Sequence, residues 1–410
     1  MPKISKILLL AVSVVLVLTV FVGARTSGVS AATEPQADAY RQINVYSEVL
    51  RHIQSDYVEE PNIGNVTNGA LRGLLESLDA DSSYLTPADY KAYKTSMAKG
   101  EGKAQVGIHV SKRYGYATVI SVIPGSPADK AGLIDGDILE AIGGTDTRDM
   151  SLAVIQMMLD GQPGTELTVG VVRPQKAVPD KLTMTRTIVA EPAVSETMYE
   201  NSTILYLKPV ILDHEHLQVV EAKIKASEKA GTRKILLDLR DVAAGDMTEA
   251  TRLANFFLKS GTIATLEGQK VEKVVYTADP SKTLEPTASM VVLVNRGTAG
   301  PGELVAAALL DAKRAQLVGE KTFGEGALQK TFELQDGAAL ILSVAKYGTP
   351  SGKKLQDDAV TPDVLVAGNF EEPTQDDTDT PDASTKPPVK PAVQVDDQLS
   401  KALELLKAKA

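Results

Sequence analysis

The stretch VIPGSPADKAGLIDGDILEAIGG, Val122 to Gly144, decides how this chain is read. Gly125 and Pro127 shape a turn into a short helix, Gly132 ends that helix, and DGDIL carries the chain into a buried strand. On either side, from Lys103 to about Glu191, short β-runs with Gly and Pro punctuation continue the pattern: QVGIHV, YATVISV, DILEAI, ELTVGVV and LTMTRTI. Two helices interrupt them, a short one in SPADKAGL and a longer one in SLAVIQMML, for which Ser151 is the natural N-cap. A small β-domain over residues 103–191 is the expectation.

Outward from it the pattern changes. Toward the N-terminus, residues 39–100 carry apolar residues at helical spacing, as in INVYSEVLRHI and VTNGALRGLLESL, and Thr86-Pro87 offers an N-cap followed by proline. Toward the C-terminus, residues 192–368 alternate apolar strands with helices: ILYL, LQVVEAKIKASEKAG, KILLDL, MTEATRLANFFLKSG, MVVLVN, GELVAAALLDAK and AQLVG. That alternation predicts a mainly parallel sheet covered on both faces. The fold class is therefore α+β: an N-terminal helical region, a β-domain, and an α/β core. Residues 369–395, rich in Asp, Thr and Pro, read as a solvated acidic linker. In residues 396–410, Leu399, Leu403 and Leu406 share one helix face, which either docks on the body or holds a partner.

The N-terminal 32 residues read as an export signal. Lys3 and Lys6 precede the uncharged run Ile7 to Val22, and the small residues of VSAA follow. Whether it is cleaved or kept as an anchor stays open. Either way the body of the protein is expected outside the cytoplasm, in the periplasm or cell envelope, with membrane contact only through this segment.

Composition narrows the function classes. With 43 Lys and Arg against 53 Asp and Glu the net charge is −10, and no run of basic residues stands out, which argues against a nucleic-acid partner. The absence of cysteine removes disulfides, thiolate catalysis and Cys-ligated zinc. His214 and His216 alternate as metal ligands do, but no third ligand accompanies them, and a solvated helix start is the simpler reading. No cofactor is expected.

The central stretch resembles a PDZ domain of the circularly arranged type found in bacterial proteases. The resemblance extends from about residue 40 to the end through LLESLDADSSYL, KILLDLR, VGEKTFGEGALQ, DGAALILSVAKYGTPSGKKLQ and VTPDV. Together these are similar to the carboxyl-terminal processing peptidases, also called tail-specific proteases. That resemblance implies cleavage of extracytoplasmic proteins near their C-termini by a serine that a lysine activates. A serine hydroxyl needs a base, and lysine serves only when burial keeps it neutral. It also implies a peptide groove along Val106, Gly107, Ile108, His109 and Val110, where a peptide adds as a strand and backbone amides hold its terminal carboxylate.

Position by position the chemistry is missing. Where the family has its nucleophile in a Gly-Ser-Ala-Ser-Ala-Ser-Glu stretch, this chain reads Gly297-Thr298-Ala299-Gly300, so Gly300 takes the serine's place. Where the lysine stands between two glycines, Glu325 stands instead; the orienting glutamine survives as Gln329. In the oxyanion turn Ala243 replaces the proline and Ala244 the first glycine, leaving Gly245. Asp160-Gly161 stands where the family commonly has Arg-Gly. Thr298 and Lys321 are displaced from the two catalytic positions by more than the roughly 1 Å that already costs about a hundredfold in rate. The reading that follows is a pseudoprotease that binds protein C-termini or unfolded peptides through its PDZ domain, or that scaffolds an active homologue or itself. The competing reading is an active serine endopeptidase with a rearranged site.

Overall fold

The computed structural model describes residues 35–98, 103–113, 115–173, 178–368 and 396–409. The expected signal or anchor and the acidic linker lie outside these residues. No described helix is long and apolar enough to cross a membrane.

The chain divides into two compact units, residues 1–68 and 69–410. In the first, helix α1 (Pro35–Asp56) exposes Tyr40, Ile43, Tyr46 and Val49, and His52 pairs with Asp56 one turn on. Helix α2 (Ile63–Glu76) begins in this unit and ends in the second.

The second unit opens with strand β1 (Ser83–Leu85) and helix α3 (Pro87–Ala98). Thr86 caps α3: its hydroxyl oxygen accepts from the Asp89 amide at 3.2 Å. There follow β2 (Ala104–Gln105), β3 (Ile108–Arg113), β4 (Tyr116–Val122), helix α4 (Pro127–Lys130), β5 (Ile138–Ile142), β6 (Thr145–Asp146), helix α5 (Leu152–Leu159), β7 (Glu166–Val172), β8 (Asp180–Thr185) and β9 (Thr187–Ile188). Strands β3, β4, β5, β7 and β8 pair antiparallel in that order, which leaves β3 with one edge that no strand covers among the described residues. Ser126 caps α4, and Val110, Val119, Leu139, Ile155 and Val169 fill the interior.

The α/β core comprises β10 (Ser195–Tyr199), β11 (Ile204–Lys208), β12 (Ile211–Leu212), α6 (His214–Lys229), β13 (Lys234–Asp238), β14 (Ala244–Gly245), α7 (Met247–Asn255), β15 (Thr262–Glu267), β16 (Val274–Thr277), β17 (Ser289–Val294), α8 (Pro301–Asp311), β18 (Gln316–Gly319), β19 (Ala327–Glu333), β20 (Ala339–Gly348), α9 (Leu355–Asp358), β21 (Val364–Leu365) and α10 (Asp397–Ala408). One sheet runs β10-β11-β13-β17-β18-β21, parallel from β11 to β21, with β10 added antiparallel at its edge. Successive residues alternate between its faces. Ile235, Leu237, Val292 and Leu317 pack with α6, α7 and α8. Leu236, Val291, Leu293 and Val318 pack against Ala402 and Leu406 of α10. The C-terminal leucine helix therefore docks on the body, and a bond from Arg240 to Asp396 at 2.9 Å ties down its start.

Two features differ from the expectation. The alternation of strands and helices predicts a single sheet, yet β1, β20, β15 and β16, with β19 on the other edge of β20, build a second, antiparallel one. And the helix expected over MTEATRLANFFLKSG stops at Asn255, whose amide turns inward to bond the carbonyls of Leu258 and Asp279. A buried side-chain amide that satisfies two loop carbonyls competes with continuing the helix.

Candidate functional site

Position 300 is built by a turn between β17 and α8. Gly300 is the N-cap of α8 with φ 48° and ψ −109°, a conformation that favours glycine, and Pro301 occupies the first helical position. A Cβ at Gly300 would meet only the Met247 Cε at 3.8 Å, so the site has room for a side chain that is not there.

Glu303 organises what surrounds it. This carboxylate is 0 % exposed and accepts four hydrogen bonds: from the Gly300 amide at 3.1 Å, the Gly324 and Glu325 amides each at 2.8 Å, and the Thr322 hydroxyl. The Val360 amide in turn donates to the Thr322 hydroxyl oxygen at 2.8 Å. The nucleophile position and the base position are thus held by one side chain. Burial pushes the Glu303 carboxyl up to about 7, against the pull of its donors.

Glu325 lies half-buried, and its carboxyl makes no hydrogen bond to the described residues. Burial, and then the charges of Asp81 and Glu303, push it up to about 8, so at neutral pH it is mostly protonated. Asp81, itself buried, is raised by burial and by Asp79. The Gln356 amide donates to Asp81 at 2.8 Å, while the Gly326 amide donates to the Gln356 side-chain oxygen at 2.7 Å. Asp81, Glu325 and Gln329 line one small cavity of about 100 Å³ together with Tyr93 and Gln156. Asp81 is a second carboxyl beside Glu325, brought there from a distant segment. Gln329 keeps its place but orients nothing at position 325, since its amide donates to the Asp81 carbonyl at 2.7 Å.

The turn that would hold an oxyanion stands close by. The Ala299 amide donates to the Val242 carbonyl at 3.0 Å, and a Cβ on Gly302 would lie 2.5 Å from that carbonyl. Ala244 and Gly245 form the short parallel bridge to Ile211 and Leu212, and Gly245, at φ 131°, passes so close to Leu212 that any Cβ would collide with its backbone.

Neither substitute residue reaches the chemistry. Thr298 is fully buried, donates its hydroxyl to the Leu239 carbonyl at 2.8 Å and accepts from the Asn295 amide at 3.0 Å, so it closes a turn. Lys321 is exposed. Position 300 carries no hydroxyl, and the carboxyl at position 325 is pushed up to about 8.

In the β-domain, Val106, Ile108 and Val110 are buried, and burial lowers the pKa of the half-exposed His109. Gly107 has φ 87°, and a Cβ there would stand 2.3 Å from the Ser126 Cβ. The close approach that requires glycine here is to the turn before α4. The Val106 and Gly107 carbonyls accept from the Ala128 and Ile123 amides, each at 2.9 Å. Asp160 ends α5, and Arg186, from across the domain, donates to the Met158 carbonyl at 2.6 Å. The β-domain sits directly on the core: Arg296 donates to Asp135 at 2.6 Å, Arg113 donates to the Phe323 carbonyl at 2.7 Å, and a Cβ on Gly297 would lie 2.9 Å from the Ile120 carbonyl.

The histidines at the start of α6 are tied up in the helix cap and its neighbours: His216 contacts Asp213 at 2.8 Å and His214 contacts Glu249 at 3.3 Å. Among the described residues no His, Asp and Glu group has the geometry to hold a metal ion.

Comparison with known proteins places this geometry in context. Residues 209–366 match Peptidase family S41 and residues 118–173 match a PDZ domain. A carboxy-terminal-processing protease of Bartonella bacilliformis is 30% identical over 341 residues, covering 82% of this chain and 78% of that protein. The carboxy-terminal processing protease CtpA of Bacillus subtilis is 29% identical over 366 residues, covering 88% of this chain and 76% of that protein. Among solved structures, the photosystem II D1 C-terminal processing protease shares the fold with a TM-score of 0.66 at 24% identity, over 78% of this chain and 92% of that one.

Proposed function

The chain belongs to peptidase family S41 and carries a PDZ domain, its relatives being carboxy-terminal processing proteases, and on that premise we propose that this member binds protein C-termini without cutting them. One observation carries the reading: the hydrogen-bond frame around Glu303 joins positions 300 and 325, yet those positions hold a glycine and a mostly protonated glutamate. Acyl transfer needs a hydroxyl and a neutral base at those two points. The occupied hydroxyl of Thr298 and the exposure of Lys321 support the same conclusion.

Binding falls to the PDZ domain, whose strand β3 offers an edge that no other strand covers among the described residues. The ligand class is an extended peptide with a free terminal carboxylate, presented by an unfolded protein, by an active homologue, or by a second copy of the chain. The run Ile7 to Val22 behind Lys3 and Lys6 supports a setting outside the cytoplasm.

The test is direct. Purified protein is incubated with an unfolded protein and with a peptide in free-acid and amidated forms. The expected result is no product by mass spectrometry, and binding that weakens about tenfold or more on amidation. Gly300→Ser alone stays inactive, and only Gly300→Ser with Glu325→Lys recovers a trace of cleavage, limited by Ala244. Cleavage by the natural chain that Thr298→Ala or Lys321→Ala abolishes would sink the proposal and favour a working endopeptidase with a rearranged site.

A further inference from the structure

A cleft of about 590 Å³ opens where the PDZ domain meets the loop carrying Glu325. Its charge is opposite to that of the whole chain. Lys112 and Arg113 from β3, Arg296 after β17, Lys321 before the loop and Lys346 from β20 line it, against only two carboxyls, Asp79 and Glu325. Asp79 is engaged by the Asp81 and Ser82 amides and the Ser343 hydroxyl, all on one oxygen. Glu325, raised to about 8, carries little charge at neutral pH.

Two of the cations lack a counter-charge. Lys112 is paired with Glu76 at 2.6 Å, and Arg296 with Asp135 at 2.6 Å. Arg113 and Lys321 have no carboxylate partner among the described residues. Arg113 spends one N–H on the Phe323 carbonyl and lies 4.5 Å from the centre of the Phe323 ring, which fixes the guanidinium and leaves its other donors at the cleft. A neighbouring groove of about 1010 Å³ shares Leu78 and Lys346 with the cleft and adds Lys270, Lys273, Lys330 and Lys354 against Glu267 alone.

We propose that this cleft takes an acidic peptide segment of a partner protein, extending the groove along β3. The inference rests on the reading that the site binds without cutting. Charge complementarity selects the ligand's sign, and continuity selects its class: Ser111, Lys112 and Arg113 belong both to β3 and to the cleft, so a chain laid along that strand enters it. Cavities of roughly 300–1,000 Å³ hold a few residues' side chains. A single-stranded nucleic acid fits less well. The one aromatic ring on the cleft is already covered by Arg113, leaving no platform for bases, and the net charge of −10 repels a polyphosphate.

The experiment titrates the full chain with a fluorescent dodecapeptide rich in Asp and Glu, with its Asn and Gln isostere, and with a single-stranded oligonucleotide of equal charge. The acidic peptide binds, the isostere binds at least tenfold more weakly, and added salt weakens the acidic peptide further. Arg113→Gln with Lys321→Gln lowers its affinity about tenfold, and Lys321→Gln alone, at an exposed residue, lowers it severalfold while the thermal midpoint of the protein stays put. Equal binding of the isostere, an unchanged affinity in the double variant, or tighter binding of the oligonucleotide overturns the proposal. So does failure of the natural chain to bind together with binding once Glu371, Glu372, Asp376 and Asp377 are neutralised to Gln and Asn, because the occupant is then the chain's own acidic segment. Mass spectrometry of the recovered peptide separates the two readings. A cut peptide sinks the pseudoprotease and leaves the cleft, whereas an intact but unbound peptide sinks the cleft and leaves the pseudoprotease.

Discussion

The peptidase core and the PDZ domain respond differently to the loss of side chains. In the core, positions 300 and 325 sit in a backbone frame held by the buried carboxyl of Glu303. In the PDZ domain, the proposed groove is the backbone edge of β3 that no strand covers among the described residues, beside a glycine packed on Ser126. On the proposed reading, substitution empties the first site without disturbing its frame. The second persists for as long as the domain folds.

Four substitutions probe this contrast, taken from the largest expected effect to the smallest. Glu303→Ala strands the buried amides around positions 300 and 325 and should cost about 3–5 kcal/mol in denaturant unfolding. A loss under about 1 kcal/mol would show that the frame is not held there. Gly107→Ala forces a positive φ on an L-residue and a Cβ into Ser126, at a cost of about 2–4 kcal/mol; C-terminal peptide binding should fall with it.

Glu325→Gln acts on pH dependence. Because the folded carboxyl is raised to about 8 from 4.5, its contribution to stability is fully present below pH 4.5 and is lost as pH rises through 8. The variant should match the natural chain near pH 4 and gain on it by pH 9, on the order of 2 kcal/mol, as read from unfolding midpoints across pH. An unchanged pH profile would remove the charge coupling among Glu325, Asp81 and Glu303. Thr298→Ala should cost about 1–2 kcal/mol through its buried hydrogen bonds and leave peptide binding untouched.

Much of this was legible in the sequence because it is local. Gly300, Glu325 and Ala244 stand in contiguous motifs, so each departure shows against the pattern around it. The leucine face of α10 follows from its spacing, and so does the capping of α3 by Thr86. What stayed hidden depends on contacts between distant segments. Asp81 meets Glu325 only after β1 pairs with β20 and Gln356 reaches across to it. The basic cleft draws its cations one or two at a time from separate segments, so no run betrays it in a chain whose net charge is −10. The second sheet was missed for a similar reason: the exposed strand β19 reads as a polar connection until β20 is laid beside it.

Gly297 carries a further consequence. The space a methyl group would need there is taken by the Ile120 carbonyl of the PDZ domain on one side and by Asp241 on the other. The residue acts as a spacer of minimum thickness, so the separation between the PDZ domain and the turn before α8 is set by the width of one backbone. Any larger residue would act as a shim, forcing apart the backbone of the PDZ domain and that of the core.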